Sequence, residues 1–560
     1  MSTQEFYMRI EGMSCPDCEV RVKKALEGAG AVDVKADFRH GEARFKAAGS
    51  ADTAKLISAV RQAGYRPVSV VPADLTGTGI SDLAANAGRP RPRAVHARDY
   101  DLAIVGSGGA AFAAAIHARD LGARVVMIER GILGGTCVNI GCIPSKTLLR
   151  AGEIYHLAGH HPFRGITTEA GPLDLGAMVR QKDELVTDLR QHKYADLVNE
   201  YGWDLVYGEA AFADDHTLQV GERMITADAV LIATGARPAV PDIPGLHEAG
   251  FLTSTTALAL DRLPGSVAVI GAGYVALELG QLLSRLGARV TLLQRSPVLL
   301  KNYDPEIGAA MAEVLSDEGI EVLTGVHYRY VEQGPGSRRI HLELNGQPYV
   351  IETEEILVAA GRQPNTEALH VERAGVHLGA RGEIGVDAEL RTNVPHILAA
   401  GDVTLGPQFV YVAAYEGGVA AENALGAHKQ VDLSVVPAVT FTTPAIATVG
   451  LTETAARAAG YDVRTSVLPL SAVPRALVNH DTRGLFKLVA DANTDQVLGV
   501  HILAENAGDV IHAATLAVKF HVTVTDLATT LAPYLTMAEG LRLAAQTFDR
   551  DVTKLSCCAG

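Results

Sequence analysis

The sequence predicts an α/β chain centred on two strand–glycine turn–helix–strand units. A small βαββαβ unit precedes them and a mixed α+β segment follows. Three observations predict this order. YDLAIVGSGGAAFAAAIHARDLGARVVMIER, ending at Arg130, is one complete βαβ unit, and SVAVIGAGYVALELGQLLSRLGARVTLLQR, from Ser266 to Arg295, is a second. In each, an apolar strand run meets a glycine turn and a helix-period segment before a second apolar run. The first 70 residues show shorter strands at hairpin spacing, and the glycine turns stop after about residue 431.

Within residues 1–70, apolar–polar alternation over Glu5–Ile10 reads as a strand, and GMSCPDC turns the chain into a helix. From Cys18 to Leu26, Val22, Ala25 and Leu26 fall on one side at helical spacing. Short strands near Val32–Phe38 and Glu42–Phe45, a helix over Thr53–Ala63 and a strand from Tyr65 complete a ferredoxin-like βαββαβ order. Residues 71–98, rich in Ala, Gly, Pro and Arg, read as a flexible tether. Beyond it the expected division is 99–240 and 361–430 for the first nucleotide domain, 241–360 for the second, and 431–560 for the α+β segment.

Composition excludes several function classes. The chain has 560 residues, 48% hydrophobic and 20% charged, which suits a multidomain globular protein. A net charge of -15 argues against nucleic acid or an anionic membrane surface as partner. No basic segment followed by an apolar run opens the chain, and no apolar run is long enough to span a bilayer. A cytoplasmic location is therefore expected, in keeping with few cysteines for this length.

Both glycine turns fit a dinucleotide. Gly106, Gly108 and Ala111 hold the GxGxxA positions after the strand Leu102–Val105. There a pyrophosphate can sit on the next helix N-terminus, where backbone N–H groups and the helix dipole favour an anion. Glu129 ends the following strand, where a carboxylate meets a ribose hydroxyl, and Gly131 follows it. The second turn uses Gly271, Gly273 and Ala276, but its next strand ends in Gln294-Arg295-Ser296. Arginine in place of an acid suits a 2′-phosphate, hence NADPH. Lys301 is either a second phosphate partner or a solvated surface cation.

All six cysteines fall in pairs: Cys15 and Cys18, Cys137 and Cys142, Cys557 and Cys558. Thiol chemistry is the expected business of such a chain. The His160-His161 pair and the other histidines show no ligand spacing and read as surface or core residues. GGTCVNIGCIPSK, with ATG at Ala233–Gly235, AAGRQPN at Ala359–Asn365, LAAGDV at Leu398–Val403 and TPAIATVG at Thr443–Gly450, resembles the flavoprotein disulfide reductases over residues 99–560. That resemblance implies FAD, two Rossmann-like domains and an α+β dimerisation domain. It implies that Asp402 holds the ribityl chain and that Thr136, Lys146, Ala210 and Val410 line the flavin. Glu278 would pair with Lys146, Cys142 would face the flavin, and Cys137 would face the substrate.

Departures from the family pattern narrow the chemistry. Where most members carry His-Pro-Thr-x-x-Glu, this chain has Tyr534-Leu-Thr-Met-Ala-Glu539. Tyrosine, with an ordinary pKa of about 10, is a poor proton shuttle at neutral pH. A metal ion substrate removes the need for one. GMSCPDC resembles the loop of heavy-metal-associated domains, whose thiolates suit soft ions such as Hg(II) or Cu(I). A thioredoxin-like redox CxxC is the other reading of that pair. The resemblance implies NADPH-dependent reduction of Hg(II), delivered as a thiol complex by Cys557 and Cys558 to Cys137 and Cys142. It also implies a homodimer whose tails reach the partner's site, with Tyr274 and Tyr534 near it. Alternatives are a high-molecular-weight thioredoxin reductase and a soft-metal buffer or chaperone.

Overall fold

The computed structural model describes residues 98–551 without a break and, of the N-terminal unit, residues 3–72 except 12, 14, 15, 38–40 and 49–52. Two compact units result, one within Met1–His96 and one within Ala97–Gly560.

The N-terminal unit runs β1 (Thr3–Glu11), α1 (Pro16–Gly28), β2 (Val32–Asp37), β3 (Glu42–Ala48), α2 (Thr53–Gln62) and β4 (Arg66–Pro72). Its antiparallel sheet has the order β2-β3-β1-β4, the ferredoxin-like arrangement. Alternation on β1 sends Phe6, Met8 and Ile10 into a core with Val22, Leu26, Phe45 and Val60.

The larger unit opens with β5 (Tyr100–Val105), α3 (Gly109–Asp120) and β6 (Val125–Glu129), followed by α4 (Gly135–Ile140) and α5 (Cys142–His160). Next come α6 (Leu175–Arg190), β7 (Asp204–Tyr207), β8 (Ala210–Phe212), β9 (Thr217–Val220) and β10 (Arg223–Ile232). The first nucleotide domain takes the sheet order β7-β6-β5-β10-β9-β8. The second is built on β11 (Ser266–Ile270), α7 (Tyr274–Arg285), β12 (Arg289–Gln294), α8 (Pro305–Asp317), β13 (Glu321–Thr324) and β14 (Glu355–Val358). Its parallel sheet runs β13-β12-β11-β14. The chain then returns to the first domain: β15 (Ile397–Ala399) pairs with β10, and α9 (Val410–Ala424) packs on α3.

The last domain holds β16 (Ala438–Thr440), β17 (Ala445–Gly450), β18 (Val463–Pro469), β19 (Leu485–Asp491), β20 (Val497–Ala504), α10 (Ala507–Lys519) and α11 (Glu539–Gln546). Its antiparallel sheet has the order β16-β17-β20-β19-β18. The closing segment ATTLAPYLTMAEGLRLAAQTF is not one continuous helix. A short helix, Val524–Thr529, stops before Pro533, and α11 resumes only at Glu539. Proline withholds an N–H and disfavours helix at the residue before it, and Leu535 takes a left-handed φ of 59°. No helix among the described residues is long and apolar enough to cross a membrane.

Candidate functional site

Each nucleotide turn is made by a close backbone approach. Gly106 has φ 112°, its N–H donates to the Ile128 carbonyl at 2.8 Å, and a Cβ there would stand 2.3 Å from the Ala233 carbonyl oxygen. Gly271 repeats this with φ 116°, a 2.9 Å bond to the Leu293 carbonyl and 2.3 Å from a built Cβ to the Ala359 oxygen. Only glycine fits either position. Gly108 and Gly273 then cap α3 and α7 in extended conformation, leaving helix N-terminal amides for a phosphate. Ala111 and Ala276 are fully buried beneath those turns.

A cavity at the first turn is lined by Gly106, Glu129, Glu209, Ala210, Thr234 and Asn365, among others. The Glu129 carboxylate accepts from Ser107 Oγ at 2.5 Å and from the Gly131 N–H at 2.6 Å, which fixes it at the cavity wall. The Thr234 hydroxyl and Gln408 Nε2 are buried without hydrogen-bond partners, an arrangement that a polar ligand would satisfy. Arg362 Nε lies 3.4 Å from Asp402 Oδ2. Burial raises the Asp402 carboxyl above its ordinary range, against the pull of that guanidinium. These residues fit FAD. Ala210 lines the same cavity as Glu129. It begins β8 two residues after Gly208, whose N–H bonds the Glu129 carbonyl.

The cysteine segment is clamped onto the first turn. Gly134 and Gly135 have φ 103° and 64°, and a Cβ on Gly135 would stand 2.5 Å from Gly108 Cα. Cys137 lies on α4 and Cys142 begins α5, and neither is in a disulfide. A hydrogen bond from the Cys137 thiol and the charge of Lys146 bring the Cys142 thiol down to about 7, against the penalty of burial. The position at the N-terminus of a long helix acts in the same direction. Cys137 is pushed up, because it holds the proton of that shared bond and is buried. Asn139 donates to the carbonyls of Leu133 and Gly135, both at 2.9 Å, and accepts from Arg190 Nη1 at 3.2 Å. Thr136 lies one residue before Cys137, and its carbonyl oxygen would be 2.9 Å from a Cβ on Gly141.

Lys146, one turn along α5, donates to the buried Glu278 on α7 at 2.8 Å. The other Glu278 oxygen accepts from the Phe441 N–H at 2.9 Å, and the Lys146 ammonium sits 4.5 Å over the Phe441 ring. Cation–π attraction and a charge-assisted bond therefore hold one ammonium. Tyr274 begins α7 one turn before Glu278, and burial raises its phenol. Val410 begins α9, with Cγ2 3.0 Å from a Cβ built on Gly109. Arg295 and Lys301 are both exposed beyond the end of β12.

The remaining expected residues divide. Tyr534 is 49% exposed, whereas Glu539 is buried at the start of α11 with its carboxyl raised by burial. Cys18 is buried in the first turn of α1, while Cys15, Cys557 and Cys558 lie outside the described residues. Tyr194 was not legible as a site residue. It lies in a π-helical turn, Gln191–Ala195, with its ring edge-on to Phe112 at 4.7 Å. Burial raises its phenol first, and the nearby charges of Cys137 and Cys142 add to that. Such turns often mark functional positions, but no sequence pattern announces one.

Three family patterns match the chain: heavy-metal-associated domain over residues 8–66, pyridine nucleotide-disulphide oxidoreductase over 100–417, and its dimerisation domain over 436–545. The chain is 55% identical to a mercuric reductase of Staphylococcus aureus over 100% of both chains. It is 53% identical to one of Bacillus cereus over 100% of this chain and 87% of that one. Among solved structures, the HOCl-induced flavoprotein disulfide reductase RclA from Escherichia coli superposes with a TM-score of 0.72 at 31% identity, over 80% of this chain and 99% of that chain. With full-length identity of this order and the thiol pair set between two nucleotide turns, the chain belongs to the mercuric reductases of the pyridine nucleotide-disulphide oxidoreductase family.

Proposed function

We propose that the chain catalyses NADPH + Hg(II) → NADP⁺ + H⁺ + Hg(0). The observation that carries this reading is the Cys137–Cys142 pair, one thiol of which is poised to ionise near neutrality beside Lys146. Thiolates are the preferred donors for a soft ion. Hg(II) arrives as a bis-thiolate. In each exchange a Cys137 or Cys142 sulfur forms a bond to mercury, one earlier Hg–S bond breaks, and the departing thiolate takes up the proton of the entering thiol. Lys146, held by Glu278, places its ammonium where it favours the Cys142 thiolate. FAD, when bound, supplies two-electron transfer between the nicotinamide and the sulfur–mercury centre.

Gly106, Gly108, Glu129, Ala210 and Asp402 would hold FAD, with Thr136, Lys146 and Val410 toward its ring. Gly271, Gly273 and Arg295 would hold NADPH, with Tyr274 at its approach. Absence of a histidine at Tyr534 fits a substrate whose reduction needs no acid for a leaving thiolate. In the proposed homodimer, Cys557 and Cys558 of one chain pass Hg(II) to the other, and Cys15 and Cys18 collect it in a cytoplasmic setting. NADPH oxidation measured side by side with Hg(II) in excess thiol, glutathione disulfide and thioredoxin tests the reading. Oxidation with Hg(II) alone is expected; equal or faster turnover of either disulfide would favour a dithiol–disulfide reductase.

A further inference from the structure

Two histidines that the sequence keeps far apart meet at the edge of the first nucleotide domain. Asp215 and His216 lie in the turn before β9, and His396, 181 residues beyond Asp215, immediately precedes β15. The two imidazole rings stack with centroids 3.8 Å apart and planes 11° from parallel. His216 Nδ1 lies 2.9 Å from the Ala227 carbonyl oxygen. A carbonyl only accepts, so Nδ1 carries the hydrogen and Nε2 of the neutral ring keeps its lone pair. His396 Nε2 lies 2.9 Å from the Asp215 carbonyl, which leaves the Nδ1 lone pair by the same argument. The Asp215 carboxylate stands beside that ring, Oδ2 3.7 Å from Nε2. One ligand atom from each residue falls within 4.8 Å of the others, the one group of this kind among the described residues.

We propose that Asp215, His216 and His396 form a binding site for a borderline divalent transition ion of the Zn(II) or Ni(II) class, separate from the thiol sites. Two imidazoles and a carboxylate match such ions and lack the thiolates that Hg(II) selects. Metal–ligand bonds of about 2.0–2.2 Å place tetrahedral ligand atoms about 3.4 Å apart. Loading therefore draws the ligand atoms together, through rotation of one stacked ring and of the exposed Asp215 side chain. The Ala227 and Asp215 carbonyls already fix both tautomers, as outer partners do at histidine-ligated metals. Half of the Asp215 side chain faces solvent, giving the ion a path in and water its remaining positions.

The site would tie the chain ahead of β9 to the chain ahead of β15, which continues to Asp402. An ion bound only by the folded state then stabilises the first nucleotide domain. The test uses the full-length, FAD-loaded protein with its thiols alkylated, so that cysteine sites leave the count. Ni(II) is the probe, followed by equilibrium dialysis and by thermal melting. The parent is expected to bind one Ni(II) per chain that His216→Gln/His396→Gln does not bind, and Asp215→Asn to weaken that ion about tenfold. Ni(II) should raise Tm of the parent and leave Tm of the double variant unchanged. Equal Ni(II) stoichiometry and affinity in parent and double variant would overturn the site. Should the double variant not fold, Asp215→Ala and His396→Gln singly serve the same comparison, and unaltered binding in both has the same meaning.

Discussion

Lys146 donates to Glu278 at 2.8 Å across 132 residues of sequence, so the helix begun by Cys142 is fastened to the helix begun at the second nucleotide turn. One ion pair thus ties the thiol segment to the domain of the second glycine turn. Its partner Phe441 draws the last domain into the same contact.

Removing that ammonium should disarm the thiol. In Lys146→Met, the Cys142 thiol, brought to about 7 first by the Cys137 hydrogen bond and then by this charge, should titrate higher. Thiolate absorbance followed against pH in the reduced enzyme is the measurement. A midpoint unchanged from the parent would show that the helix N-terminus and Cys137 suffice.

Nucleotide preference should follow Arg295. A charge-assisted contact to a 2′-phosphate is worth roughly 1.5–3 kcal/mol, or about one to two decades in affinity. Arg295→Glu should lower kcat/KM for NADPH by that order and narrow or reverse the preference over NADH. Equal kcat/KM for both nucleotides in the parent would remove Arg295 from the site.

Acid stability should depend on Glu318. Its carboxyl is 6% exposed, and burial pushes it up. Arg285 at 2.7 Å and Arg483 at 3.1 Å outweigh that and hold it below its ordinary value. A depressed folded-state pKa gives stability that is fully present above the unfolded value of about 4.3 and lost as pH falls through the folded one. Glu318→Gln should cost about 3–5 kcal/mol at pH 7, because two guanidiniums lose their buried partner. The gap between parent and variant should close below pH 4 in denaturant melts. A constant gap across that range would mean that packing, not charge, sets the loss.

The tail should matter for delivery and not for the flavin. Cys557→Ala/Cys558→Ala should retain FAD and reduction of the Cys137–Cys142 pair by NADPH, while turnover of Hg(II) carried by bulky thiols collapses. Halide complexes should restore part of the rate. Mixed with Cys137→Ala/Cys142→Ala, it should form heterodimers with one working site. Silent heterodimers, with subunit exchange confirmed, would confine each tail to its own subunit.

Legibility followed locality. Gly106, Gly271 and the Cys137–Cys142 spacing could be read because turn geometry and a helix N-terminus need neighbouring residues of given types. Tyr194 could not, since a π-helical turn depends on packing against Phe112 and on a slip in hydrogen bonding that no residue type dictates. His216 and His396 escaped because their meeting is made by β9 and β15, strands far apart in the chain. The break between Thr529 and Glu539 turns on one residue, Pro533, which ends a helix whatever the spacing of its apolar neighbours.

Gly135 meets Gly108 backbone to backbone, with room for hydrogen and none for a methyl group. The spacing between the thiol segment and the first nucleotide turn is thereby a main-chain dimension, like the gap of a machined joint. Side chains at the outer end of α5 can drift to suit a different cargo without re-setting the inner end. A single added carbon at position 135 would open the joint itself, and every substrate would be affected alike.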